Sequence, residues 1–160
     1  MENLLNKEPV KRVQEFISKF NLQLEIIVLD TTARTAQDAA TALGCSVGAI
    51  VKSLLLKAGD TFILCLVSGD KRCSLKTLKK ILDKNDVSMA SPDDVKKITG
   101  YTIGGVSPVG HLNKVKIYID TNLERFTTVF AAAGHPNCVF KIQFNQLVKL
   151  TSGEIKEIAE

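Results

Sequence analysis

The chain has 160 residues, 45% of them apolar and 24% charged, with a formal net charge of +4, which is enough for one domain with a real core and no covalent staples. No apolar run approaches the roughly 18 residues of a membrane span, and the charged N-terminus lacks the apolar stretch of a signal peptide, so a cytoplasmic protein is expected. Cys45, Cys65, Cys73 and Cys138 form no C-x-x-C pair and the two histidines, His111 and His135, are far apart, so no metal site is expected and buried free thiols are.

Taken in chain order, Val10, Val13, Phe16, Ile17 and Phe20 recur at helical spacing after Pro9, and "LEIIVLD" (24–30) reads as a buried strand. Thr35 and Asp38 form a capping-box-like start to a helix that ends at Gly44. The run "IVKSLLLKAGDTFILCLVSGD" predicts a β-hairpin turning at Ala58, Gly59 and Asp60. Ser74 and Ser91 head two further helices, and Lys76, Lys79, Lys80, Lys96 and Lys97 on them make a basic surface, either a solvated face or a rim for a polyanion. Strands are predicted at 115–120, 127–133 and 139–144, followed by a closing helical segment, "NQLVKLTSGEIKEIAE". Hairpins beside crossovers predict an α/β (α+β-like) fold with a mixed sheet of six to seven strands. Neither repeats nor linkers divide the chain, so residues 1–160 read as a single domain.

Three segments could carry chemistry. Alternation in the second strand puts Lys52 on the face of Leu54 and Leu56, where an ammonium must either reach solvent or meet an anion. The stretch "GYTIGGVSPVGH" (100–111) holds four glycines; Gly104 and Gly105 can expose main-chain N–H groups to a carbonyl or phosphate oxygen, while Pro108 holds Ser107 extended. It matches neither a phosphate loop nor a dinucleotide fingerprint, which disfavours nucleotide enzymes. In "AAAGHPN" (131–137), Gly134 frees the chain and Pro136 holds His135 extended, but neither a neighbouring carboxylate nor a nucleophile elbow suggests a hydrolytic triad.

The segments "TAQDAATALGCSVGAIVKSLLL", "LVSGDKRCSLKTLKKIL", "SPDDVKKITGYTIGGVSPVG", "IDTNLERFTTVFAAAGHPNCVF" and "LVKLTSG", in this order, resemble the YbaK/prolyl-tRNA synthetase editing-domain family over about residues 25–153. The resemblance implies a single α/β domain with a strongly curved mixed sheet and trans-editing: hydrolysis of the ester bond of mischarged aminoacyl-tRNA, usually tRNA(Pro) carrying a small non-cognate amino acid. It implies that Lys52, Gly104 and Gly105 are catalytic, and that Thr31, Thr32, Ser53, Val106, Ser107, Pro108, Gly134, His135 and Pro136 bind substrate. No cofactor is implied, and neither membrane nor DNA is an expected partner; prolyl-tRNA synthetase is an open one. The cysteine-specific branch carries a basic Gly-Arg pair where this chain has "GHPN", which leaves alanine, serine or threonine open beside cysteine. A binding module that does not hydrolyse, or a small-ester hydrolase, are the alternatives.

Overall fold

The computed structural model describes residues 3–20, 23–30 and 35–160. Helix α1 (Glu8–Ser18) carries Pro9 in its first turn and buries Val10, Val13 and Ile17, whereas Phe20 falls past its end and stays exposed. Helix α2 (Ala36–Leu43) is capped by Thr35, whose hydroxyl accepts from the Asp38 N–H at 3.1 Å, and it stops at Gly44 in the left-handed region. Helices α3 (Leu75–Leu82) and α4 (Pro92–Thr99) start in the same way, with the Ser74 and Ser91 hydroxyls accepting from the Thr77 and Asp94 N–H groups. Helix α5 (Phe144–Thr151) packs Leu147 and Leu150 inward.

The strands are β1 (Ile26–Val28), β2 (Ile50–Ala58), β3 (Thr61–Ser68), β4 (Val87–Met89), β5 (Lys116–Asp120), β6 (Thr128–His135), β7 (Cys138–Gln143) and β8 (Glu154–Lys156). They form one eight-stranded sheet in the order β1-β7-β6-β2-β3-β5-β8, with β4 paired to β2. The sheet is mixed: β2 runs parallel to β6, and β5 parallel to both β3 and β8, while the remaining pairs are antiparallel. The fold is the α/β class expected, with more strands than the six to seven read from the sequence. The two unforeseen ones, β4 and β8, are three residues long, too short for an alternating pattern to register. The closing segment is accordingly not helical throughout. Ser152, at φ 55°, ends α5, and a Cβ on Gly153 would lie 2.8 Å from Ile119. The chain therefore crosses close to β5 and joins its edge as β8.

Apolar side chains cover both faces of the sheet. One cluster gathers Val51, Leu55, Leu64 and Leu66 with Tyr101, Phe140 and the inward face of α1; the other gathers Leu56, Cys65, Val67 and Tyr118 with Leu78 of α3. Burying each such large side chain is worth roughly 1.5–3 kcal/mol. The fully buried Asp120 is offset by its partners: one carboxylate oxygen accepts from the Ile158 and Ala159 N–H groups at 2.8 and 3.0 Å, the other from Asn122. That carboxylate fastens the C-terminal segment to β5. Cys65 and Cys138 are buried thiols as expected, whereas Cys45 and Cys73 are only half-buried.

Candidate functional site

Strand β2 borders a cavity of about 330 Å³. On its edge away from β3, β2 pairs with β6 only at Ile50 and Val51, and with β4 only from Leu56 to Ala58. The cavity occupies the gap between these two pairings. Lys52, Ser53 and Leu54 line it from β2, Phe130 and Ala132 from β6, Met89 and Ala90 from the end of β4 and the link to α4. Ile103, Gly104 and Val106 of the glycine loop, and Pro136 of the β6–β7 hairpin, complete the wall. Segments distant in sequence thus meet in one space.

The glycine loop reaches the cavity through a tight turn. The Thr102 carbonyl accepts from the Gly105 N–H at 3.0 Å, and Gly104, at φ 94°, occupies the position where a type II turn demands a positive φ. The turn leaves Gly104 at the cavity and Gly105 behind it, with the Gly105 N–H already engaged. Gly105 packs instead on the hairpin: a Cβ there would lie 3.0 Å from the His135 Cα and N. The far end of the loop is held by α1, since Arg12 Nε donates to the Gly110 carbonyl at 2.7 Å and its guanidinium covers the Tyr101 ring at 4.7 Å. Tyr101 donates to the Val109 carbonyl at 2.7 Å. Burial pushes the Tyr101 hydroxyl up to about 12, so it remains a donor.

Lys52 is half-buried, and its Nζ donates to the Lys71 carbonyl. A neutral carbonyl is a weaker counterpart than an anion, and the neighbouring Asp70 carboxylate is itself bound through two oxygens by Arg125, at 3.1 and 2.8 Å. Burial therefore holds the Lys52 ammonium below the usual lysine range, with Asp70 opposing that shift. The arrangement keeps a cation at a mostly apolar cavity without an ion pair of its own among the described residues.

Of the residues expected at a site, Lys52, Ser53, Gly104, Val106 and Pro136 share the cavity. Gly105, Ser107, Pro108, Gly134 and His135 do not line it. Ser107 and Pro108 are buried behind the loop, and the Ser107 carbonyl contacts His111 Nε2 at 2.7 Å. Strand β6 continues through Gly134 and His135 rather than stopping at 133, so that these residues belong to the strand end and His135 Nδ1 accepts from the Asn137 N–H at 3.1 Å. Gly134, at φ 91°, lets the strand pass the Pro9 carbonyl, which a Cβ would approach to 2.7 Å. Thr31 and Thr32 lie outside the described residues. Sequence reasoning missed the apolar lining from Met89, Ala90, Phe130 and Ala132. Met89 and Ile103, 51% and 61% exposed at the rim, are large apolar residues on a surface, a feature only coordinates reveal. Among the described residues no group of His, Cys, Asp and Glu could hold a metal ion, and no helix is long and apolar enough to cross a membrane.

A family model described as "Aminoacyl-tRNA editing domain" matches residues 30–150. The uncharacterized protein YwhH of Bacillus subtilis is 30% identical over 147 residues, covering 91% of this chain and 93% of that protein. A proline–tRNA ligase of Caldicellulosiruptor bescii is 32% identical over 123 residues, 77% of this chain but 19% of the ligase. A solved structure described as a candidate trans-editing enzyme for prolyl tRNA synthetase superposes with a TM-score of 0.91 at 34% identity, covering 96% of this chain and 98% of that one. The match of the family model across most of the chain, with the same fold in a relative of nearly equal length, shows that the chain belongs to the aminoacyl-tRNA editing domain family.

Proposed function

We propose that the chain hydrolyses, in trans, the ester bond of mischarged aminoacyl-tRNA, with tRNA(Pro) bearing a small non-cognate amino acid as substrate. The observation that carries this reading is the meeting of Lys52, Gly104 and Pro136 around one small apolar cavity. Water adds to the ester carbonyl carbon, the bond from that carbon to the ribose oxygen breaks, one of the water's protons ends on the ribose oxygen and the other passes to solvent, and the amino acid leaves as a carboxylate. An aminoacyl ester is already activated, so holding water or a substrate hydroxyl beside a polarised carbonyl suffices without a side-chain nucleophile.

The chain's own groups divide the work. Lys52 offers its ammonium to a phosphate or ribose oxygen of the terminal nucleotide, exchanging or sharing the Lys71 carbonyl. The turn at Gly104 brings peptide backbone to the substrate without a side chain in the way, and Val106 and Pro136 bound the space left for the amino acid. An apolar wall with few polar groups favours small side chains. Shape selection of this kind is what a second sieve provides, since a synthetic site excludes near-isosteres only by about 10–200-fold. The 19% of a proline–tRNA ligase that this chain matches supports tRNA(Pro) as the nucleic acid and the synthetase as a partner.

The test offers the purified protein tRNA(Pro) charged with alanine, cysteine, serine, threonine or proline. Hydrolysis of at least one small non-cognate ester, with prolyl-tRNA spared and Lys52→Ala inactive, is the expected result. Saturable, salt-sensitive RNA binding with every ester intact would make the protein a binding module instead. Equal hydrolysis of free amino-acid esters would make it a small-ester hydrolase.

A further inference from the structure

The wall that β2 contributes is the edge of a strand, and that edge carries hydrogen-bonding groups the sheet does not use. Six consecutive residues, Ile50 to Leu55, line the cavity. Strand side chains alternate between faces, so a cavity that touches six in a row meets the strand side-on, at its peptide groups. Register fixes which groups point there. The Leu55 carbonyl accepts from the Ala90 N–H, and the Gly59 N–H donates to the Asp86 carbonyl; odd-numbered residues of β2 therefore turn their N–H and C=O toward this edge. Two odd-numbered residues, Ser53 and Leu55, lie between the last β6 pair, Val51↔Ala131, and the first β4 pair, Leu56↔Met89; the Leu55 carbonyl is taken by Ala90, which leaves Ser53.

Both neighbours are kept from reaching it. Strand β6 pairs with β2 no further than Ala131 and leaves its regular path just beyond Ala132, where its own pairing with β7 shifts register before His135. On the other side, β4 ends at Met89 and the chain turns at Ser91 and Pro92 into α4, so no strand residue continues along β2 past Ala90 toward Ser53. The Ser53 hydroxyl is also buried without a hydrogen-bond partner among the described residues. Unused polar groups at one point of an apolar cavity wall mark a place for a ligand that supplies their partners.

We infer that the Ser53 peptide recognises the aminoacyl group itself, through its α-ammonium and its ester carbonyl; this rests on the editing reading above. The two groups flank a single Cα, as do the N–H and C=O of a residue in an antiparallel pair. Seated in the gap, the amino acid replaces the missing strand residue: its α-ammonium donates to the Ser53 carbonyl, and its ester carbonyl oxygen accepts from the Ser53 N–H. The second bond strengthens as negative charge develops on that oxygen during attack by water, so the Ser53 N–H supplies the polarisation that the engaged Gly105 N–H does not. Recognition then reads the free α-amino group common to all small amino acids.

The test uses hydrolysis-resistant amides, 3′-deoxy-3′-(L-alanylamino)adenosine and its propionyl counterpart without the amino group, titrated into the ¹⁵N-labelled protein. The expected result is that the Ser53 amide resonance moves most within β2 and that the propionyl compound binds at least about tenfold more weakly, the loss of a charge-assisted hydrogen bond. Equal binding of the two compounds, an unmoved Ser53 amide with shifts confined to Gly104–Val106, or no binding of either at millimolar concentration would overturn the inference. The editing reading would survive each of these if the charged-tRNA panel shows hydrolysis, and would fall separately if it does not.

Discussion

The two edges of β2 have opposite fates. Toward β3, every residue from Val51 to Ala58 has a partner in an unbroken antiparallel ladder from Ser68 to Thr61. Toward β6 and β4, the ladder opens between Val51 and Leu56. The closed edge joins apolar residues on both faces and serves stability; the open edge faces a cavity with a cation, a turn of bare backbone and unused peptide groups. On the proposed function one strand divides between holding the fold and hosting a ligand, and substitutions on its two sides should separate the two roles.

The largest effect is expected at the closed edge. Ile63, opposite Leu56 and almost fully buried, should cost roughly 2–5 kcal/mol of stability when replaced by alanine, seen in urea denaturation, with the rate per folded molecule changed less than about twofold. At the open edge the pattern reverses. Lys52→Ala should lower single-turnover hydrolysis by at least about 100-fold, on the order of 3 kcal/mol, with the denaturation midpoint close to that of the parent. Equal losses of activity and stability in both variants would erase the distinction.

A smaller effect is expected where the loop meets the hairpin. In Gly105→Ala the new Cβ would sit 3.0 Å from His135 backbone atoms, so loop and hairpin must part, lowering stability by about 1–3 kcal/mol and activity about tenfold. The smallest effect concerns pH. The folded Lys52 has a pKa below its unfolded value; an activity that needs the ammonium is therefore lost as pH rises through that lowered value, earlier than for an ordinary lysine. Stability runs the other way, rising with pH between the folded and unfolded values because the unfolded chain holds more protons there. Asp70 raises the Lys52 pKa, so Asp70→Asn should move the alkaline fall in rate, read relative to spontaneous ester hydrolysis, to lower pH.

Much of the fold was legible because its signals are local. Thr35, Ser74 and Ser91 cap the helices they precede, and the alternation across Ile50–Ser68 specifies a hairpin. The strands β4 and β8 were not legible: each is three residues held by a neighbour's edge rather than by its own pattern. At the site, Lys52 stood out as a charge on an apolar face, and Gly104 as a residue freed for a turn. The gap itself was hidden, since it depends on where β6 and β4 leave β2, and that is a matter of long-range register. Its one sequence signature is the helix start at Ser91, which ends the run of β4 along β2. Asp120 closed a predicted strand without any hint that its carboxylate anchors residues 158 and 159.

The cavity at the open edge is the centre of the account, and filling it is the most direct test. Ala132 lines it from β6, and Ala132→Leu puts a branched side chain where the amino acid is to sit. Single-turnover hydrolysis of the best tRNA ester in the panel should fall by at least about 100-fold in a variant that still unfolds cooperatively. A folded Ala132→Leu protein that hydrolyses that ester at the parent rate would contradict the account.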